Sequence, residues 1–386
     1  MTVHDHITHE ELRDIGGVKW TSFGDALGAF VAEMDFGLAE PIKRALHRSI
    51  DLGQSGYLAP GWNAELQRAT SEFVARRYGW EVEPANVLAA PDVLTGMVLT
   101  MKHHMAAEGR VVVPTPAYMP FMMLPQAHGH ELVQVPMQRT STSWELDFHA
   151  IDEVLREGDL FVLCNPHNPI GKVYTRDEML TLSEIVERRG ARVFNDEIHA
   201  PLVFPGSQHV PYPMVSEAAA RHSLTSMSAS KAWNLPGYKC AQLILNDEDL
   251  AGADAFMFEL HGTATPGVFA NIAAYEESED WLAETIEYLA ENQRLLHELL
   301  AEELPEVRCI PNEGTYLAWL DCTELGLDVA PGEFFLEHAG VATTDGGACG
   351  DAGTGSVRLN FATPRPLLKR MVRQMGEAVG RHRAQA

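Results

Sequence analysis

The chain has 386 residues, 46% hydrophobic and 22% charged, enough for one large domain with its own core and a smaller companion. Its 54 acidic against 29 basic residues leave a formal charge of −25, which argues against nucleic acid or anionic membranes as partners. The five cysteines (Cys164, Cys240, Cys309, Cys322 and Cys349) are odd in number and far apart, which suggests neither a disulfide framework nor a zinc site and makes a reducing cytoplasm the default expectation.

In chain order, the opening MTVHDHITHEELRDIGG is polar throughout and has no signal-peptide core. No later run approaches the roughly twenty apolar residues of a membrane helix, so a soluble protein is expected. His4, His6 and His9, like the later pair His103-His104, have no metal-ligand spacing or carboxylate partner in the sequence and read as surface groups, and no metal is expected. Short apolar runs then alternate with amphipathic ones. The runs NVLAA (86–90), GRVVVP (109–114), DLFVLCN (159–165), ARVFND (191–196), SLTSMS (223–228) and CAQLIL (240–245) predict strands. Between them, TRDEMLTLSEIVERRG (175–190) predicts a helix, with Thr175 and Glu178 at capping-box spacing and Gly190 as its stop. This rhythm implies an α/β fold, a mostly parallel sheet sandwiched by helices. From about residue 270 a long helical pattern broken near 277–280, the strands GTYLAWLD and SVRLNFA, and a C-terminal helix over 366–382 predict a smaller α+β domain. The division expected is 46–270 for the large domain, with 1–45 and 271–386 forming the small one.

The strand ends carry the chemistry. Ligands of an open parallel sheet bind beyond the carboxyl ends of its strands. After DLFVLC come Asn165 and Asn168; after ARVF come Asp196, Glu197 and His199; after SLTSM come Ser228, Ser230 and Lys231; after NVLAA, PDVLTGM leads into a helix. Taken singly, each is more often a turn, a cap or a surface group. Together they complement pyridoxal 5′-phosphate (PLP). Its aldehyde needs an amine, its ring nitrogen a carboxylate, and its phosphate hydroxyls, a helix start and a cation.

The sequence resembles the fold-type I PLP enzymes of the class I/II aminotransferase superfamily, with an aspartate-aminotransferase-like fold. More narrowly it is similar to the MalY/PatB-type cystathionine β-lyases. The matching segments are FVAEMDF (30–36), GYLAPGW (56–62), PTPAYMPF (114–121), LCNPHNPIGKVYTRDEM (163–179), NDEIHAPLVF (195–204), SASKAWNLPG (228–237) and SVRLNFATPR (356–365). The resemblance implies a catalytic set of Lys231, Tyr118 and Asp196. Lys231 would bond the cofactor aldehyde and act as base, Asp196 would pair with the ring nitrogen, and Tyr118 would stack on the ring. Asn168 would hold the phenolic oxygen, with His199 beside it. Ser228, Ser230, Lys239 and the N–H groups of Val93 and Leu94 would hold the phosphate. Tyr57 would reach the phosphate of a neighbouring subunit, since the family is dimeric. Arg358, with Asn168, would take the substrate α-carboxylate.

Two positions depart from the family pattern. The phosphate loop reads PDVL where the lyases read PGVV, and an acidic Asp92 beside a phosphate is unfavourable unless its side chain points away. Lys239 stands where aminotransferases prefer arginine. The activity implied is carbon–sulfur β-elimination on a cystathionine-like or S-substituted cysteine. An aminotransferase built on the same residues, and a partner-binding protein that keeps the fold, stay open as alternatives.

Overall fold

The structure, a computed structural model, describes residues 3–255 and 257–385. Seven strands form its main sheet: β1 (Val87–Ala90), β2 (Val111–Thr115), β3 (Leu132–Pro136), β4 (Leu160–Cys164), β5 (Arg192–Asp196), β6 (Ser223–Met227) and β7 (Ala241–Ile244). Their spatial order is β1-β7-β6-β5-β4-β2-β3. The pairs β2–β3, β2–β4, β4–β5 and β5–β6 are parallel, whereas β7 runs antiparallel to both β1 and β6. The period-2 alternation of side chains explains why these strands read as unbroken apolar runs. Val112, Phe161, Leu163 and Val193 face one core, and Val111, Val113, Leu160, Val162 and Phe194 face the other.

Helices cover both faces. Those used below are α1 (Glu40–Asp51), α2 (Pro60–Tyr78), α3 (Val93–His103), α4 (Met119–Ala127), α5 (Arg176–Arg189), α6 (Thr265–Glu277), α7 (Glu279–Glu303) and α8 (Arg365–Gln385). Helix α5 forms with the local devices its sequence predicts: Thr175 and Glu178 close a capping box, and Gly190 ends the helix in the left-handed conformation. The smaller sheet holds β8 (Leu317–Asp321), β9 (Thr344–Asp345) and β10 (Ser356–Asn360) in the antiparallel order β8-β10-β9. Helices α7 and α8 pack together beside it.

Three features depart from the sequence reading. Edge strand β3 was not among the predicted strands; its LVQVP is only half-buried, and a polar Gln134 interrupts the apolar run. The expected domain boundaries at 45–46 and 270–271 fall inside α1 and α6, which pack on each other. The break near 277–280 is Ser278, between α6 and α7. Finally, His103 and His104 are not bare surface groups, since they lie 3.0 Å from Glu259 and 3.1 Å from Asp249.

The N-terminal segment is what brings the two sheets to one site. Leu27–Gly28 pairs in parallel with Val341–Ala342, and the Asp35 N–H donates to Ala362 O. Residues 30–36 then run between the end of β6 and strand β10, held by side chains from both.

Candidate active site

Because β7 is antiparallel to both β1 and β6, those two run the same way, so six strands end on one rim, and β7 begins there. Asp196 is the last residue of β5 and is buried. Its Oδ1 accepts the Ile198 N–H at 2.9 Å, and no cation touches it among the described residues. Burial pushes its carboxyl up to about 7, against a weaker pull from that hydrogen bond and from Lys231. Lys231 follows β6. Its Nζ donates to Ala32 O at 2.8 Å. Burial first and the Arg358 charge second push this amine down to about 8, with Glu33 and Asp196 opposing.

Arg358 lies in the middle of β10 with 2% of its surface exposed. It donates to Asn168 Oδ1 at 3.1 Å, to Phe30 O at 2.6 Å and to Thr344 Oγ1 at 3.1 Å. Its Nε has no partner, and no carboxylate meets the guanidinium among the described residues. A buried cation with only neutral acceptors favours an incoming anion. Asn168 thus stands directly on Arg358, with its amide oxygen spent there. His199 is buried, bonded through Nδ1 to Thr315 Oγ1 at 3.0 Å, and edge-on to Tyr316. Burial, then Lys231 and Arg358, hold its ring neutral. Tyr118 immediately precedes α4, half-buried and edge-on to Phe121, its phenol pushed up by burial.

At the rim's other end, Asp92 caps α3. Its Oδ1 accepts the Thr95 N–H at 2.9 Å, which leaves the N–H groups of Val93 and Leu94 as the free donors of the first turn. Its Oδ2 accepts from Lys239 Nζ at 3.1 Å. The loop cation is therefore already matched by a carboxylate. The Ser228 hydroxyl donates to Cys240 O at 2.7 Å and accepts the Ser230 N–H at 3.0 Å, which leaves the Ser230 hydroxyl as the half-buried donor beside Lys231. Tyr57 stands apart, 99% exposed and without a bond to any of these residues.

Several contributors escape sequence reasoning. The carbonyls of Phe30 and Ala32 receive Arg358 and Lys231, and a backbone oxygen leaves no mark in residue identity. Tyr316 donates to the same Ala32 carbonyl at 3.0 Å. His167, within NPHNP, accepts from Tyr174 OH at Nδ1 (2.8 Å) and donates from Nε2 to Pro116 O (2.9 Å). It thereby ties the Asn168 loop to the Tyr118 loop. Its position between two site asparagines was the available signal.

The family model described as aminotransferase class I and II matches residues 31–374. The chain belongs to that family. It is 34% identical to the cystathionine beta-lyase of Corynebacterium glutamicum, over 96% of this chain and 98% of that protein. To the cystathionine beta-lyase PatB of Bacillus subtilis it is 30% identical, again over 96% and 98%. Among solved structures, the PLP-bound C-S lyase from Staphylococcus hominis superposes with a TM-score of 0.91 at 26% identity, covering 98% of each chain. The fold is therefore the aspartate-aminotransferase-like one that the motifs imply. In this family's frame, the rim is the place where six strand ends, a helix N-terminus and the N-terminal segment converge.

Proposed function

We propose that the chain is a PLP-dependent carbon–sulfur β-lyase that releases a thiol, pyruvate and ammonia from cystathionine-like or S-substituted cysteine substrates. The observation that carries this reading is the meeting of Lys231, Asp196 and Arg358 on one buried rim, in a chain alike over its whole length to proteins named cystathionine beta-lyase.

The donor set fits the cofactor. A buried carboxylate whose proton is held up to about 7 is a site in want of a cationic partner, which a protonated ring nitrogen would be. Ser230, the Val93 and Leu94 N–H groups, Lys239 and, behind them, Ser228 would hold the phosphate, and Tyr118 would cover the ring. With Asp92 on Lys239, hydroxyl and backbone donors bear most of that hold. Asn168 keeps its oxygen on Arg358 and has its amide N–H groups free for the phenolic oxygen, with neutral His199 nearby. Bound PLP supplies an aldehyde for the substrate amine and a ring that draws electrons from Cα.

The chain's own residues do the rest. Arg358 turns its two-pronged guanidinium to the α-carboxylate, which fixes Cα. Lys231, its amine depressed toward neutral pH, takes the Cα proton at Nζ. The C–S bond then breaks at Cβ, with its electron pair leaving on sulfur. Tyr57 would reach the phosphate across a homodimer, and the protein would work in the cytoplasm; among the described residues no helix is long and apolar enough to cross a membrane. Purified protein given PLP and L-cystathionine should release pyruvate without any keto acid. Pyruvate-free turnover that needs 2-oxoglutarate would make it an aminotransferase, and the absence of a lysine-dependent near-visible absorbance with PLP would remove both enzymes.

A further inference from the structure

We propose that Tyr316 is a positioning residue for Lys231: its hydroxyl shares the Ala32 carbonyl with the lysine amine and so limits how firmly that oxygen holds the amine. This rests on the reading of Lys231 as the cofactor-bonding base. The Lys231 Nζ and Tyr316 OH lie 2.8 and 3.0 Å from one oxygen, and the Tyr316 ring is fully buried. A carbonyl oxygen has room for two donors, but each draws on the same electron density and weakens the bond to the other. The oxygen cannot swing away to favour one of them. Its flanking carbonyls, Val31 O and Glu33 O, are both held by Asn360 Nδ2 at 2.6 Å.

The backbone supports the assignment. Thr315, just before Tyr316, has a φ of 59°. A β-branched residue in the left-handed region is strained, and such strain persists where the surroundings enforce it. Here the Thr315 N–H donates to Leu202 O at 2.7 Å, and its hydroxyl is bonded to His199 Nδ1 at 3.0 Å. One strained residue thus fixes both His199 and the entry of Tyr316 to β8. The charged groups facing Lys231 are Asp196 at the end of β5, Arg358 on β10, Glu33 on the N-terminal segment and Lys239 beyond the turn. Tyr316→Phe leaves all four in place and removes one hydroxyl.

The consequence has a sign. With the tyrosine hydroxyl gone, Ala32 O binds the lysine ammonium more strongly, which favours the charged form. In the cofactor-free chain, the pH dependence of Lys231 modification by trinitrobenzenesulfonate, followed by peptide mass mapping, should shift its midpoint upward in Tyr316→Phe, by roughly half a unit to one unit. Replacing Tyr316 by 3-fluorotyrosine, a stronger donor of nearly the same size, should shift it downward. In the loaded enzyme the acid limb of kcat should follow the same two directions, while KM stays within about twofold because Arg358 is untouched. Coincident midpoints, or both variants moving the same way, would overturn the proposal. Should Tyr316→Phe fail to fold, the fluorotyrosine chain alone decides by the sign of its shift. Lack of near-visible absorbance in the wild-type chain with PLP would instead strike the cofactor reading, while the labelling midpoints still decide the role of Tyr316.

Discussion

Asp196 carries a cost that the ligand-free chain cannot avoid. Its carboxyl is buried at the end of β5, and burial, the dominant effect, raises its proton affinity to about 7. In the unfolded chain it titrates near ~3.9. Below that pH both states hold the proton and folding is indifferent to it. Between the two values the unfolded chain ionises and the folded chain does not, so stability falls as pH rises, with the whole cost in place above about 7. Asp196→Asn keeps the shape and the oxygen that accepts Ile198 N–H, and it has no charge to bury. The cofactor-free variant should therefore melt a few degrees above wild type at pH 8, on the order of 2–4 kcal/mol, and the gap should narrow toward pH 5. Calorimetry of both proteins at the two pH values checks this. A gap that stays constant would mean that Asp196 is not the group paying. The same variant should bind PLP weakly, as the proposed pairing of Asp196 with the ring nitrogen requires.

At the scale of elements, the N-terminal segment 30–36 sets the site. Asn234 clamps it with three hydrogen bonds, accepting Met34 N–H at 2.9 Å and donating to Met34 O at 2.9 Å and Phe36 O at 3.0 Å. The buried Lys19–Asp35 pair, 2.8 Å apart, and Trp20 Nε1 on Asp35 at 2.7 Å hold it from the outer side. Asn234 itself has a φ of 58°, a conformation asparagine tolerates better than alanine. Asn234→Ala should destabilise the chain by roughly 2–4 kcal/mol, since it orphans buried backbone groups and strains its own. It should also raise KM more than it lowers kcat, because Phe30 O and Arg358 lose their common register. Steady-state kinetics beside a urea melt separate the two effects, and an unchanged KM in a destabilised protein would rule out the link to Arg358. This element also marks where sequence reasoning stopped. Helix α5 was legible because the Thr175–Glu178 box and Gly190 act within one turn of themselves. Six strands were legible because burial on both faces leaves an apolar run. Lys231, Asp196 and Arg358 stood out because an amine, a carboxylate and a guanidinium are the side-chain types that a PLP and amino-acid site calls for. The segment's contribution lies in carbonyls and in partners some 200 residues away, such as Asn234 to Met34, and neither has a local signature. The Asp92–Lys239 pair was missed for the same reason: it joins residues 147 apart across the rim.

For the whole molecule, the outstanding question is what covers Tyr57. Tyr57 is 99% exposed, within a segment matching the family, and is packed against nothing in its own chain. Its main-chain neighbour Gly56 is fixed, since Gly56 O accepts from Thr265 Oγ1 at 2.9 Å, so the side chain is held out from a stable platform instead of hanging from a loose one. If two copies form a dimer about a twofold axis, each Tyr57 meets the other copy's rim. That arrangement has a stringent test by mixing. Tyr57→Ala and Lys231→Ala should each be nearly inactive as a pure protein. When the two are unfolded together and refolded, random pairing makes half the dimers hybrid. Each hybrid has one site with both substitutions and one with neither, so activity should return to about a quarter of wild type. Sites built from a single chain give no such recovery, because every site would keep one defect. Light scattering on the same samples shows whether dimers are present at all. Recovered pyruvate release in the mixture, with neither parent active, is the outcome that a shared site requires.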